Sequence, residues 1–353
     1  MARKVLLFAH ILVIVAGVLG ILANYTSPVS TKIPAYFGFF FPLVLILNLI
    51  AFMSWLMIDR KLAWISVIVF AAFGPFLFRT FSFSFGKSAE EEFKIMSYNV
   101  KNFDLYDWNE NPNARVEIIK LVRDEQPDIA CFQEFYDADR GEHLNIAAIE
   151  DAMGESDYAF ATTFDQQGSR FGVALFSKFP ILDWQAIPLL ESKNNTAMYA
   201  DLLVKGDTLR VFNVHLQSIN LGYDDYDYLN SPQGNQPEGT RKIVFKLNRG
   251  LETRAKQAEQ LQDSIEGSPY PVLVCGDFND GPMSYTYSTI KGDLNDAFVR
   301  KGMGFGQTYN ELSFPILRID FILPSDELKV LNYKTLHEDL SDHYPIVAGL
   351  KWD

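Results

Sequence analysis

The sequence predicts an α/β domain that follows a helical membrane region, and three observations support this. Three long apolar runs fall within the first 89 of 353 residues. Those 89 residues carry seven basic and one acidic side chain, a net charge of +6, whereas residues 90–353 carry 24 and 43, a net charge of −19. Over 90–353, apolar runs of strand length alternate with amphipathic helical patterns. We therefore expect a membrane anchor over 1–89 and an acidic folded domain over 90–353.

The composition of the chain excludes several classes of protein. Hydrophobic residues make up 48% of the sequence, which is too large a fraction for a disordered chain. Two cysteines, Cys131 and Cys275, cannot form a disulfide scaffold, and both fall in apolar runs where a buried thiol is unreactive. The acidic domain is poorly suited to nonspecific binding of nucleic acid, because such binding depends on Lys and Arg contacts with phosphates.

The apolar runs near the N-terminus cover residues 5–23, 35–58 and 62–78. A helix needs about 20 apolar residues to cross the hydrocarbon core, with a range of about 17–25. The first two runs meet this length, and the third lies at the lower limit with Gly74 and Pro75 inside it. Buried core helices are the alternative, but three such runs so close together favour about three transmembrane helices.

Basic residues predict how these helices are oriented. Two precede the first run and two separate the second from the third, whereas the loop over 25–34 contains only Lys32. Loops rich in Lys and Arg stay in the cytoplasm, so a third crossing brings the acidic domain to the extracytoplasmic side. A cleaved signal peptide in place of the first helix gives the same result. Only failure of the third run to span would leave the domain in the cytoplasm.

After a polar linker over 88–92, the pattern alternates strands with helices. Strands are predicted at 94–100, 129–133, 172–177, 199–204, 209–215, 271–275, 319–323 and 346–352. Helices are predicted at 114–125, 144–152 and 253–265. Residues 199–204 and 209–215 have the spacing of a hairpin. The mixture indicates β-sheets covered by helices.

One segment, residues 219–250, is long and polar, and is rich in Asp, Tyr, Asn, Gly and Pro. Segments of this kind in compact domains are usually functional or disordered. Two interpretations therefore stay open, a mobile loop beside the functional site and plain disorder.

Polar residues recur where the apolar strands end, which is where α/β proteins build their sites. These residues are Asn99, Gln133, Glu134, Asn213, His215, Asp277, Asn279, Asp280, Asp320, Asp342 and His343. Each motif alone has a structural explanation, since an Asp-Phe-Asn-Asp-Gly run favours a turn and a single histidine commonly satisfies hydrogen bonds. Four separate strands that each end in an acid or amide nevertheless favour one shared site.

Three of these residues offer the oxygen ligands that a hard cation prefers. Glu134, Asp342 and the amide oxygen of Asn99 form a set suited to Mg²⁺, with Mn²⁺ as a substitute. Clustered carboxylates repel one another, so a cation would stabilise the site as well as serve its chemistry.

The other polar residues suit the attack of water on phosphorus. His215 and His343 lack the spacing of zinc sites and fit acid–base or phosphate-binding roles. An adjacent acid such as Asp320 would fix the tautomer of a histidine and favour its charged form. Asp277 could polarise a water molecule, and Asn279 could donate to a phosphoryl oxygen. Together these groups indicate metal-assisted hydrolysis of a phosphoester.

The motifs SYNV, QE, HL, GDFND, RIDFIL and SDHYPI occur in this order across residues 94–348. Their order and number resemble the endonuclease/exonuclease/phosphatase superfamily, as do the segments SRFGVALFSKFPI and TRAKQAEQL between them. That superfamily includes abasic-site endonucleases, pancreatic-type deoxyribonucleases, neutral sphingomyelinases and inositol-polyphosphate 5-phosphatases. The resemblance implies a four-layer sandwich, in which two packed mixed β-sheets are flanked by helices and the site lies at one end.

The resemblance also implies a role for each matching residue. The cation would be held by Asn99, Glu134 and Asp342. The catalytic residues would be Asp277, which orients the nucleophile, the Asp320–His343 pair and His215. The phosphate would contact Asn279 and His215. The stretch between HLQS and TRAKQ is longer than in the nucleases and adds few basic residues, which leaves the substrate class open.

The sequence thus predicts a membrane-anchored, Mg²⁺-dependent phosphoester hydrolase that acts on a lipid, small-molecule or nucleic-acid phosphoester. Its other partner is the lipid bilayer, and no protein partner follows from the sequence. The alternatives are a nuclease and a binding module of the same fold that has lost turnover. Tyr106 and Trp108 could stack on a base, sugar or lipid, or could pack against their own loop.

Overall fold

A computed structural model of the protein describes most of the chain. The described residues are 1–84, 90–106, 111–154, 156–192, 194–219, 237–311 and 317–353. Trp108, two residues of the predicted linker (88–89) and most of the predicted polar loop (220–236) lie outside them.

Four helices form the N-terminal region. They are α1 (Ala2–Leu22), α2 (Ile33–Phe39), α3 (Phe41–Ile58) and α4 (Ala63–Thr80). Three segments, Arg3–Leu22, Phe41–Ile58 and Ala63–Thr80, are long and apolar enough to cross a membrane. The apolar run over 35–58 does not form one helix, because the backbone leaves helical geometry at Phe40 and a proline occupies the first turn of α3.

A buried polar cluster joins three of these helices. His10 of α1 has Nε2 at 3.0 Å from Oδ1 of Asn48 in α3, and the indole Nε1 of Trp55 donates to His10 Nδ1 at 3.0 Å. Ser66 of α4 lies 3.4 Å from the same Nε2 atom. In an apolar bundle such hydrogen bonds fix which helix faces meet.

Residues from 93 onward form two packed mixed β-sheets. The six-stranded sheet contains, in spatial order, β12 (Leu328–Thr335), β13 (Ile346–Trp352), β2 (Phe93–Asn99), β3 (Ile129–Ala138), β5 (Ser169–Ser177) and β4 (Asp157–Gln166). The five-stranded sheet contains β11 (Asp320–Pro324), β9 (Val272–Asp277), β8 (Asp207–His215), β7 (Thr196–Val204) and β6 (Ile181–Pro188). A separate pair consists of β1 (Ser82–Phe83) and β10 (Met303–Gly304).

Each large sheet has one parallel pair near its centre, β2 with β3 and β8 with β9, and is otherwise antiparallel. All eight predicted strands are present within a few residues of their expected bounds. Strands β4, β6 and β12 were not predicted. Strands β4 and β6 lie at sheet edges with many exposed residues, so their sequences lack the apolar run of a buried strand.

Helices cover the outer face of each sheet. The six-stranded sheet is covered by α5 (Ala114–Glu125) and α6 (Asn145–Met153), and the five-stranded sheet by α7 (Pro237–Glu266) and α8 (Tyr285–Lys291). A short helix, α9 (Ala297–Lys301), precedes β10. The predicted four-layer sandwich is therefore confirmed. The polar-loop interpretation was wrong for residues 237–250, because α7 begins at Pro237.

The core between the sheets is apolar and contains both cysteines. Cys131 of β3 and Cys275 of β9 are fully buried there as free thiols. Burial, reinforced by the neighbouring Cys275, holds the pKa of Cys131 well above its usual range. The expectation that both thiols are buried is confirmed.

Candidate active site

Strand register brings the polar strand ends to one edge of the sandwich. His215 at the end of β8 pairs with Asp277 at the end of β9, and Asp277 pairs in turn with Asp320 at the start of β11. The parallel seam of β8 and β9 is tight at Gly276, where an added Cβ would lie 1.9 Å from the carbonyl oxygen of Val214. Only glycine permits this approach, which sets His215 and Asp277 side by side.

Asp277 is the centre of the cluster. Its Oδ2 accepts hydrogen bonds from the side-chain amides of Asn99 at 3.1 Å and Asn279 at 3.0 Å, and the backbone N–H of Asn279 donates to Oδ1 at 2.7 Å. The Nε2 atoms of His215 and His343 each lie 3.7 Å from Oδ2. Burial raises the pKa of Asp277 to about 7, and Asp320 adds to this, against the opposing effect of His343 and the hydrogen bonds.

Asp320 and His343 form a buried pair. Nδ1 of His343 lies 2.9 Å from Oδ2 of Asp320, and both side chains are almost fully buried. Burial lowers the pKa of His343, but the charges of Asp320 and Asp277 outweigh it and raise the pKa to about 10. The imidazole is therefore held charged, and Nε2 faces Asp277. Among the described residues, Oδ1 of Asp320 has no hydrogen-bond partner.

Glu134 reaches the cluster through a β-bulge. The register of β3 against β5 shifts between Phe132 and Phe135, and Glu134 has a positive φ of 48°. Its Oε1 accepts from the Asn99 amide at 3.3 Å and lies 3.6 Å from Nε2 of His215. Desolvation of this recessed carboxylate, followed by the charge of Asp342, raises the pKa of Glu134.

Asp342 completes the predicted ligand set. The hydroxyl of Ser341 donates to the Asn99 carbonyl oxygen at 2.8 Å and lies 3.2 Å from Oδ1 of Asp342. Nζ of Lys101 lies 3.3 Å from Oδ2 of Asp342 and 3.2 Å from Glu311. Burial lowers the pKa of Lys101, but these two carboxylates outweigh it and raise the pKa.

His215 is held in a neutral form. The side-chain amide of Asn195 lies 3.1 Å from its Nε2 and donates to the Leu216 carbonyl oxygen at 2.9 Å. Burial, followed by the charge of His343, lowers the pKa of His215 to about 3. A neutral imidazole and a charged one therefore face the same carboxylate.

Sequence reasoning missed Lys101, Asn195, Ser341 and Glu311, which lie outside the strands and α-helices. Ser341 alone had a local signal, because it stands in the SDHYPI motif. Loop residues carry no periodicity, so their contacts depend on tertiary structure.

Three of the polar residues that the sequence offers for the site, Gln133, Asn213 and Asp280, make structural contacts and do not join the cluster around Asp277. Gln133 donates to Oδ1 of Asn213 at 2.7 Å, and Asn213 donates to the carbonyl oxygens of Phe132 and Ala174, so the pair links the two sheets. Asp280 accepts from Thr286 at 2.9 Å and from Arg254 at 3.4 Å, beside the site. Tyr106 is exposed.

The donor set fits a divalent cation. Carboxylates from two strand ends, the bulge in β3 and one loop approach one another, and burial and mutual repulsion raise the pKa values of two of them. Within the part of the chain that the structure describes, the buried Oδ1 of Asp320 lacks a partner. The tightest group of ligand atoms comes from Asp277, Asp320 and His343, all within 4.8 Å. In the predicted oxygen set, Oδ1 of Asn99 accepts from the backbone N–H of Lys101 at 3.1 Å and Asp342 contacts Lys101 and Ser341, so a cation bound there would replace some of these contacts.

Comparison with protein families gives two matches. Residues 96–343 match the model of the Endonuclease/Exonuclease/phosphatase family, and residues 3–80 match a Domain of unknown function (DUF8431). No curated protein matches the chain.

Solved structures share this fold, and each of the three named here aligns with 74% of this chain. A Bacteroides thetaiotaomicron endonuclease/exonuclease/phosphatase family protein is 20% identical over 98% of its own length, with a TM-score of 0.53. A mannosyl-6-phosphatase, Bt3783 of B. thetaiotaomicron VPI-5482, is 19% identical over 100% of its length, with a TM-score of 0.51. ANGEL2, a 2′,3′-cyclic phosphatase, is 17% identical over 95% of its length, with a TM-score of 0.52.

The family match spans the sandwich from β2 to the loop before β13 and contains every predicted site residue. The strand-end cluster agrees with it, because its carboxylates, amides and histidines suit phosphoester chemistry. The chain belongs to the endonuclease/exonuclease/phosphatase family.

Proposed function

We propose that this protein is a membrane-anchored, Mg²⁺-dependent phosphoester hydrolase. The observation that carries the proposal is the convergence of Asn99, Glu134, Asp277 and the Asp320–His343 pair at one edge of the sandwich. A cluster of buried acids and one charged histidine is costly to fold, so a catalytic task is the best account of it.

Asn99, Glu134 and Asp342 would hold the cation. When bound, Mg²⁺, or Mn²⁺ in its place, would neutralise charge on the phosphate and favour attack by water. The ion would also relieve the repulsion between Glu134 and Asp342 that raises the pKa of Glu134.

The protein's own residues would activate water and hold the phosphate. Asp277 lies at the centre of the cluster and would accept a proton from the attacking water. His343, kept charged by Asp320, would donate to a phosphoryl oxygen. Asn279 and His215 would complete the phosphate contacts, His215 as a neutral donor or acceptor.

The membrane-anchoring part of the proposal rests on the N-terminal helices. The loop after α1 and the end of α4 contact the same part of the catalytic domain. Nη1 of Arg79 donates to Oδ1 of Asn24 at 2.9 Å, the hydroxyl of Ser288 donates to the same atom at 2.8 Å, and Arg318 donates to the Arg79 carbonyl oxygen at 2.9 Å. After three crossings these two ends meet on one face of the membrane, the extracytoplasmic face by the distribution of basic residues.

A labelling experiment tests this orientation. Cys131 and Cys275 are buried, so an Asp183→Cys variant would carry one exposed thiol on β6. In intact cells, a membrane-impermeant maleimide should label this variant without permeabilisation. Labelling only after permeabilisation would place the domain in the cytoplasm.

An activity test addresses the hydrolase itself. The full chain in phosphatidylcholine nanodiscs would be assayed with Mg²⁺ against bis-p-nitrophenyl phosphate, p-nitrophenyl phosphate, single-stranded DNA, sphingomyelin and inositol phosphates. Glu134→Gln and His343→Ala should abolish turnover of the ester that the native protein cleaves. The exposed Glu338→Gln and His337→Ala are the matched controls and should retain it.

Two results would contradict the proposal. Unchanged turnover in Glu134→Gln or His343→Ala would remove these residues from the mechanism. Absence of turnover together with no calorimetric binding of Mg²⁺ or Mn²⁺ would favour a binding module that has lost activity.

A further inference from the structure

An exposed apolar surface lies where the helical region joins the two-sheet domain, the part of the chain from residue 93 onward. Strand β1 begins two residues after α4 and pairs with β10, so that Phe83 lies opposite Met303. These two side chains are 61% and 66% exposed, and Phe305, the residue after β10, is 40% exposed. With two exposed residues that precede α3, they form a junction patch that consists of Phe39, Phe40, Phe83, Met303 and Phe305. Contiguous apolar surface of this kind marks contact with a membrane or another protein.

One side of the junction patch adjoins the end of a candidate membrane span. Phe81 is the first residue after the span that ends at Thr80. Its ring centroid lies 4.5 Å from that of Phe83 and 4.7 Å from that of Phe305. The headgroup layer on each face of a bilayer is about 5–8 Å deep. If α4 crosses the bilayer, these rings therefore lie at the depth of that layer.

The other side of the patch adjoins a second span. Phe40 is the last residue before the span that begins at Phe41, and its ring centroid lies 5.0 Å from that of Phe39. Phe39 and Phe305 line the same small cavity between the helices and the two-sheet domain. The aromatic groups at the end of α4 and the start of α3 thus form one surface, on the same face of the membrane.

The segment that carries Met303 and Phe305 is basic, although its domain is acidic. Residues 297–305 contain two basic and no acidic side chains, whereas residues 90–353 carry 24 and 43. The two basic residues, Arg300 and Lys301, lie in the last turn of α9, immediately before β10. Lys and Arg near a membrane surface are attracted to lipid phosphates. Apolar side chains flanked by basic ones are typical of segments that lie in the headgroup layer.

The junction patch is firmly joined to the two-sheet domain. The hydroxyl of Ser82 in β1 donates to the carbonyl oxygen of Val299 in α9 at 3.3 Å. Arg318, which precedes β11, donates both to the carbonyl oxygen of Arg79 and to Asp296, each at 2.9 Å. A surface held by these bonds cannot change its depth in a bilayer without moving the domain with it.

We propose that the junction patch is seated in the headgroup layer of the bilayer that α1, α3 and α4 cross, so that the two-sheet domain is docked on the membrane surface. The inference rests on the membrane anchoring in the proposed function and adds a contact that the domain itself makes. The lipid headgroup layer is the occupant because the patch continues two membrane spans and carries basic residues at its edge.

The test measures how deep the patch lies. A nitroxide would be attached to Met303→Cys in the full chain, in phosphatidylcholine nanodiscs, since both native thiols are buried. Its collisions with oxygen, which concentrates in the bilayer, would be compared with its collisions with a Ni²⁺ chelate, which stays in water. The ratio of oxygen to nickel collisions should be severalfold higher than for a label on Leu182→Cys.

Two reference positions calibrate this ratio. Leu182 is 55% exposed on β6, the edge strand farthest from β11, about 19 Å away across the sheet, and should favour nickel. Ala72, exposed near the middle of α4, should favour oxygen most strongly as Ala72→Cys.

Three results would overturn the inference, and they are distinguishable. Equal ratios at Met303 and Leu182, with a high ratio at Ala72, would leave the anchor in place and remove the docking. A low ratio at Ala72 as well would contradict membrane anchoring itself, and the inference with it. Exclusion of both oxygen and nickel at Met303 would show that protein, such as a second copy of the chain, covers the patch.

A substitution tests whether apolar contact holds the domain down. In the labelled Met303→Cys protein, Phe83→Asp should lower the collision ratio to near the Leu182 value, because a carboxylate is disfavoured in the lipid layer. Phe83→Leu keeps an apolar group and should retain the high ratio, as should Leu182→Asp, the same charge placed at the far edge. An unchanged ratio in Phe83→Asp would overturn the proposal. An equal fall in Phe83→Leu would also overturn it, because pairing of β1 with β10 would then position the segment.

Discussion

The chain buries a histidine in two different surroundings. In the helical region, the indole N–H of Trp55 can only donate, so Nδ1 of His10 accepts and Nε2 carries the proton that is shared with Asn48. Every partner there is neutral. In the two-sheet domain, His343 faces two carboxylates, Asp320 and Asp277, and its pKa rises to about 10. Burial of a histidine alone therefore does not identify a site, whereas ionisable partners with shifted pKa values do.

The first prediction concerns the largest effect, removal of the central carboxylate. Asp277→Asn should lower kcat by about 10²–10⁴-fold, the range of a lost general base. The substitution relieves the repulsion with Asp320, but an asparagine has one acceptor oxygen where Asp277 presents two oxygens to three N–H donors, so the unfolding free energy is measured beside kcat to separate the two effects. Kinetics on the ester that the native protein cleaves, with thermal unfolding in parallel, measures both. Asp183→Asn on the exposed edge strand β6 is the control, and a kcat within threefold of native would contradict the role of Asp277.

The second prediction tests a buried charge that serves structure. Arg318 donates to Asp296 at 2.9 Å, both side chains are buried, and the guanidinium lies over the rings of Phe298 and Phe321. Arg318→Met should cost about 3–5 kcal/mol of unfolding free energy, because Asp296 is left buried and unpaired. Chemical denaturation in detergent micelles measures this loss.

The matched control for this variant is an exposed ion pair. Arg123 and Asp151 lie 2.7 Å apart with most of each side chain in solvent, so Arg123→Met should cost less than about 1 kcal/mol. Equal losses in the two variants would show that burial of the Arg318–Asp296 pair has no energetic consequence.

The smallest effect is expected in the helical region. His10→Ala removes the hydrogen bonds to Asn48 and Trp55, and interhelical bonds in membranes contribute about 0.6 kcal/mol each on average. A loss of about 1–2 kcal/mol should appear in an SDS unfolding titration, with kcat unchanged. Leu12→Ala, at an exposed position of α1, is the control. A fall in kcat of tenfold or more would mean that the His10 cluster takes part in the chemistry.

The sequence could predict those site residues that border an apolar run. Asn99, Glu134, Asp277 and Asp320 each border an apolar run, and the register of paired strands then brings them together. Lys101 and Asn195 could not be found in this way, because they lie outside the strands and meet the cluster only through tertiary structure. Which of the oxygen atoms hold the cation stays a prediction.

The fold was predicted where burial leaves a pattern. Strands such as β2 and β9 are buried on both faces and appear as apolar runs, whereas the edge strands β4 and β6 mix exposed polar and apolar residues. The first half of α7 contains Gly239 and Gly250 and several polar residues, which are typical of a loop. Packing of its second half against the five-stranded sheet extends the helix beyond its local preference.

The extra residue in β3 lets two consecutive side chains serve separate purposes. Gln133 stays turned toward the opposite sheet, where it bonds to Asn213, while Glu134 leaves the regular alternation and reaches Asn99. Deleting one residue here would restore a regular strand pairing. The strand could then keep either the contact with Asn213 or the contact with Asn99, but not both. The irregularity thus allows a single strand both to hold the two sheets together and to place an acid in the candidate site.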